Sequence, residues 1–279
     1  MTIKKLFLFL SIIIFLFIVL LLNNKNELND KVESIELISI DNLEEIDDKE
    51  DLLTLKTTLN IKSGASLEKF KTSNNTTINY YKIVSNNPTY DMPLIVYLHG
   101  DGETYSLKSI TKLPLYNFIL DSYMDNSFIF IAPHRSKRDW ISKSVSLNLK
   151  ELIDSVVDEH HINKNKIIIM GASRGSMGVW NMISLYGDYF SAACPISWHP
   201  TTELNYNNLV KVPIYAISGN RGYPEKTVNN KMTDTVNRIN ELGGKAFINT
   251  YNGETHDTIA AAFPNKELLD ILLDNKSLD

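Results

Sequence analysis

The chain has 279 residues, with 28 basic and 33 acidic side chains and a formal net charge of −5. That balance gives no basic footprint for gripping phosphate backbones, and no Lys/Arg cluster is interleaved with aromatics, which argues against nucleic-acid binding. Cys194 is the only cysteine, so an intrachain disulfide is ruled out and no Cys/His spacing suggests a metal site.

Lys4 and Lys5 precede a run from Leu6 to Leu22 in which only Ser11 is not apolar, just long enough to cross a bilayer. The exit, Leu21-Leu22-Asn23-Asn24-Lys25, lacks the small residues of a signal-peptidase site. Residues 1–23 therefore read as an uncleaved signal anchor, a single transmembrane pass with the lysines on the cytoplasmic side and everything after it outside. Secretion after signal cleavage is the alternative. Residues 24–62 are polar and acidic, with Glu44, Glu45, Asp47, Asp48, Glu50 and Asp51 close together, and read as a solvated stalk.

Residues 63–279 read as one α/β domain. Thr77 to Val84 predicts an early strand. Pro93 to Leu98, Phe128 to Ala132 and Ile167 to Met170 are short continuous apolar runs, the pattern of parallel strands buried on both faces. Asp101 to Asn126 is expected to form part of the rim. Leu149, Leu152, Ile153 and Val156 recur at helical spacing. Ala192 to Ser197, Val212 to Ser218 and Lys245 to Tyr251 predict further strands, with a helix around Met232, Val236 and Ile239 and a last one over Lys266 to Leu273. Strands alternating with helices imply a mostly parallel central sheet with helices on both faces.

Chemistry gathers at three places. Gly171-Ala172-Ser173-Arg174-Gly175 fits G-x-S-x-G between a buried strand and a helix, where Gly171 and Gly175 let the chain bend sharply and present the Ser173 hydroxyl above the sheet. A turn whose serine merely caps the helix is the bland alternative. His99-Gly100-Asp101-Gly102 follows an earlier strand, and N–H groups of Arg174 and of Asp101 or Gly102 would form an oxyanion hole. His99 itself reads as a structural hydrogen-bonding residue. Among the six histidines, His256 alone lies on a loop after a late strand, as a general base should; His199 could line the pocket, and His134, His160 and His161 are weaker candidates. Trp140, Trp180 and Trp198 are pocket-wall candidates, with core packing the simpler reading for Trp180.

The blocks PLIVYLHGDGE (93–103), KIIIMGASRGSMGVW (166–180), FSAACPIS (190–197), VPIYAISG (212–219), Gly243-Gly244 and Thr255-His256-Asp257 together resemble the esterase and predicted-peptidase branch of the α/β-hydrolase superfamily, which includes feruloyl-esterase-like and polyhydroxybutyrate-depolymerase-like enzymes. The resemblance spans about Thr77 to Leu273. It implies a Ser, Asp/Glu, His triad, no metal and no organic cofactor.

One position departs from that pattern. The carboxylate of such enzymes is expected where this chain has Gly222, in Gly219-Asn220-Arg221-Gly222. Glu225, three residues on, could reach the imidazole from a re-routed loop; Glu203 after the preceding strand competes; or the acid is missing. The expected protein is a membrane-anchored, extracytoplasmic serine hydrolase of small-molecule or peptide esters or amides, foremost a carboxylesterase. A serine peptidase using the same site, or a weakly catalytic or non-catalytic binding module, stands as the alternative.

Overall fold

A computed structural model describes residues 64–102, 106–135, 139–256 and 266–274. The expected anchor, 1–23, and stalk, 24–62, lie outside the described residues. Among the described residues no helix is long and apolar enough to cross a membrane.

Eight strands form one sheet: β1 (Ala65–Lys71), β2 (Thr77–Val84), β3 (Leu94–Leu98), β4 (Ile129–Pro133), β5 (Ile167–Ala172), β6 (Ala192–Ile196), β7 (Ile214–Gly219) and β8 (Ala246–Tyr251). Their spatial order is β1-β2-β4-β3-β5-β6-β7-β8. The β1–β2 and β2–β4 pairs are antiparallel and all others parallel. Among the described residues six α-helices accompany them: α1 (Pro114–Phe118), α2 (Lys143–His160), α3 (Arg174–Leu185), α4 (Tyr206–Leu209), α5 (Glu225–Glu241) and α6 (Lys266–Asp274).

The alternation along each strand builds two cores. Leu94, Val96 and Leu98 of β3 face the layer holding α2, α3 and α5, whereas Ile95 and Tyr97 face the layer holding the Leu107–Tyr123 passage and α6. β3, β4, β5 and β6 are buried along their whole length, which is why their sequences are continuous apolar runs and not alternating ones. The chain leaves β3 toward β4 on one side and returns to β5 on the other. That reversal opens a crevice at the carboxyl ends of β3 and β5, where ligands bind in open α/β sheets.

Two expectations are corrected. The sheet begins one strand earlier than predicted, because β1 has only partly buried or exposed residues and so lacks an apolar signature. The segment expected to be rim instead contains a 3₁₀ turn over Leu107–Lys112, α1 and a π turn over Ile119–Tyr123. Its Leu107, Ile110, Leu115, Tyr116, Ile119 and Tyr123 are buried beneath the sheet.

Candidate active site

Ser173 stands at the N-cap of α3 with φ 52° and ψ −115°, a conformation that costs a non-glycine residue about 1–3 kcal/mol and persists only where the surroundings enforce it. The enforcement is visible. Ser173 N–H donates to Ile196 O at 2.8 Å, and Ser173 O accepts from Ser176 N–H at 3.0 Å. A Cβ on Gly175 would stand 1.9 Å from the carbonyl oxygen of Leu98, and one on Gly171 would meet the Gly175 backbone at 2.8 Å. Both positions accept hydrogen only, so α3 packs directly on β3.

The other partners arrive from the carboxyl ends of β7 and β8. His256 Nε2 lies 3.0 Å from Ser173 Oγ, and its Nδ1 lies 2.9 Å from Glu225 Oε2. With one nitrogen toward the carboxylate and the other toward the hydroxyl, the ring donates to Glu225 and accepts from Ser173. Glu225 is the first residue of α5 and is 1% exposed. Its Oε1 accepts from Ser197 Oγ at 2.8 Å, Ser218 Oγ at 2.9 Å and Gly219 N–H at 3.0 Å. Burial alone would raise its pKa; the hydrogen bonds from His256, Gly219, Ser197 and Ser218 outweigh burial and hold it below the ordinary carboxylate value.

Gly222, at φ 77°, forms a turn that leads into Glu225. Glu203 is exposed, and since both imidazole nitrogens of His256 are already engaged, no place remains for it there. The two loops that carry Glu225 and His256 are joined by backbone bonds: Glu254 O accepts from Asn220 N–H at 3.1 Å and from Arg221 N–H at 2.9 Å. A Cβ on Gly219 would sit 2.3 Å from that same carbonyl oxygen.

Two of the expected oxyanion residues, Arg174 and Asp101, meet through their side chains. As the first residue of α3, Arg174 has an N–H without an intrahelical acceptor, and its Nε lies 3.1 Å from Asp101 Oδ1. That ion pair ties the turn after β3 to the bend at Ser173. The positive end of α3 adds a field favourable to developing negative charge.

The remaining histidines have other partners. His99 Nδ1 donates to Gly100 O at 2.7 Å, and its Nε2 accepts from Arg135 N–H at 3.0 Å. Burial, reinforced by His134 and Arg135, pushes its pKa down to about 4 against the opposing bond to Gly100, so it is a neutral structural group. His199 donates to Pro200 O at 2.7 Å and stacks on Trp198. Trp198 itself packs edge-on to His256, with ring centroids 5.7 Å apart. Its carbonyl accepts from Ser176 Oγ at 2.7 Å and Trp180 Nε1 at 3.0 Å. Trp180 is fully buried and Trp140 nearly so. Cys194 is buried, and burial pushes its thiol far above the ordinary range, leaving it inert. Among the described residues no His/Cys/Asp/Glu group is arranged to hold a metal ion.

The serine clamp on Glu225 escapes sequence reasoning. Ser197 and Ser218 end strands that the sequence does announce, but nothing in one dimension brings their hydroxyls to one oxygen.

No protein-family model matches the chain, and no curated protein is significantly similar to it. Solved structures are similar in fold. A thermostable esterase is 21% identical with a TM-score of 0.63, over 76% of this chain and 63% of that one. The feruloyl esterase module from Clostridium thermocellum is 14% identical with a TM-score of 0.54, over 72% and 86%. An S-formylglutathione hydrolase from Staphylococcus aureus is 14% identical with a TM-score of 0.56, over 75% and 96%. The chain thus spans less than two thirds of the first esterase and most of the other two. With the sheet order, the crevice and these likenesses together, the chain has the α/β-hydrolase fold.

Proposed function

We propose that the protein is a serine hydrolase that cleaves carboxylic esters through an acyl-enzyme. One observation carries this: the unbroken contact series Ser173 Oγ, His256, Glu225 at 3.0 and 2.9 Å. Ser173 Oγ attacks the carbonyl carbon as His256 Nε2 takes its proton, while the N–H of Arg174 and that of Asp101 or Gly102 receive the oxyanion. His256 then returns the proton to the leaving alkoxide, and water repeats the sequence to release the acid. Glu225 holds the tautomer with Nδ1–H and stabilises the imidazolium. Three proteins of similar fold are named as esterases or a hydrolase, which supports the ester class. With Glu225 on the imidazole, Gly222 no longer motivates a non-catalytic reading.

The test is a fluorophosphonate probe together with short-chain p-nitrophenyl esters on the full chain. Labelling and turnover that both vanish in Ser173→Ala are expected. Absence of both in the wild type overturns the proposal.

We place this hydrolase at a membrane, outside the cytoplasm, on the strength of the Leu6–Leu22 run. The full-length protein should stay with membranes through a high-salt wash. Recovery in the medium with a new N-terminus near Asn23 would replace the anchor with a cleaved signal.

A further inference from the structure

Arg135 leaves β4 beside the crevice and is half-buried. Its Nε is buried with no hydrogen-bond partner, and none of the described carboxylates forms an ion pair with its guanidinium. It lies over the indole ring of Trp140, 6.0 Å from the ring centroid. A half-buried charge with no ion pair among the described residues is incompletely compensated, and burial accordingly lowers its pKa, against a smaller opposing pull from the nearby Asp139.

Arg135 lines a cleft of about 230 Å³ with Thr76, His134, Trp140, Asn148 and Leu149, and no Asp or Glu is among the lining residues. Asn148 already accepts through Oδ1 from Asn74 at 2.8 Å, so its NH₂ is the end left to donate. The cleft therefore offers a cation and an amide donor over an apolar wall, a donor set suited to a carboxylate.

Its position ties it to the proposed chemistry. β4 and β5 flank β3, so the end of β4 lies about 10 Å across the sheet from the end of β5 that bears Ser173. The floor of the cleft is also bonded to the root of the oxyanion turn: Arg135 N–H donates to His99 Nε2 at 3.0 Å and Trp140 Nε1 to His99 O at 3.1 Å.

We propose that this cleft receives a carboxylate carried by the substrate, remote from the scissile ester, so that the preferred substrates are anionic, such as monoesters of dicarboxylic acids. The proposal rests on the serine-hydrolase reading for its catalytic arm only.

The test compares mono-p-nitrophenyl suberate with p-nitrophenyl octanoate, which differ in the terminal carboxylate. The suberate-to-octanoate ratio of kcat/KM should fall roughly tenfold or more in Arg135→Gln, mostly through KM, as loss of a hydrogen bond to a charged group implies. An unchanged ratio overturns the proposal. Should Arg135→Gln not fold, Asn148→Asp places a carboxylate in the same cleft and must lower the ratio likewise. A binding arm needs no turnover: Ser173→Ala protein is titrated calorimetrically with the suberate dianion. Saturable binding that Arg135→Gln weakens supports the cleft even if no ester is cleaved. Ester turnover without suberate binding discards the cleft and leaves the hydrolase standing.

Discussion

Glu225 experiences two opposed influences: burial, which favours the neutral acid, and four hydrogen bonds, which favour the carboxylate and prevail. Its Oε1 is held by three donors and its Oε2 faces the imidazole, so the acid occupies a socket whose walls come from β6, β7 and the turn after β7. A socket defined in space tolerates a shift in sequence: three residues of displacement from Gly222 are absorbed by a longer side chain and by the turn that leads into α5. We expect Glu225→Gln to lower kcat by about 10³- to 10⁴-fold, because the amide no longer holds the tautomer or balances the imidazolium. Glu203→Gln should change kcat little. Steady-state kinetics on a p-nitrophenyl ester checks both, and the reverse ranking would move the acid to Glu203. From the sequence, Glu225, Glu203 and no acid at all remain open, since the choice turns on how far a side chain reaches in the folded loop.

At the scale of elements, the join between β3 and α3 is the tightest in the site. Gly175→Ala would press a methyl against Leu98 O at 1.9 Å. We expect a loss of about 3 kcal/mol or more and a fall in Tm of about 10 °C, read by thermal denaturation; activity should fall as Ser173 and the oxyanion turn separate. The elements nearest this join were also the most legible. β3, β4 and β5 are buried on both faces, so their sequences are unbroken apolar runs, and Ser173 follows one of them in a glycine-flanked turn. β1 was not legible, because Ala65–Lys71 (ASLEKFK) lies on an edge with partly exposed residues. The Leu107–Tyr123 passage is illegible for another reason: it changes from 3₁₀ to α to π winding around Pro114, and no single period survives those changes. Arg135 is not legible as a site, because a lone arginine in a polar stretch has the pattern of a solvated residue and only the fold builds a cleft around it.

For the whole molecule, acid should act before the carboxylates titrate. His99 is neutral in the fold, with a pKa near 4, but ordinary, at 6.5, in the unfolded chain. Between those values protons bind the unfolded state preferentially, so stability declines as pH falls from 6.5 to about 4, by roughly 3 kcal/mol in all. Glu225, whose pKa is lowered in the fold, adds its own loss only below its ordinary 4.5. Melting curves across this range should therefore show a decline beginning near pH 6.5 that His99→Gln flattens; a wild-type Tm constant down to pH 4.5 would contradict it. The order of assembly has a consequence of its own. Ser173 and His256 are 83 residues apart in sequence, and the loop bearing His256 is held by the pairing of the edge strand β8 on β7 and by Glu254 O resting against the bare backbone of Gly219. Without that loop Ser173 Oγ loses its 3.0 Å contact with the imidazole and, in the proposed mechanism, its proton acceptor. On the proposed mechanism a chain still emerging from the ribosome, or partly opened at that edge, is chemically silent, and turnover reports that the last strand has closed.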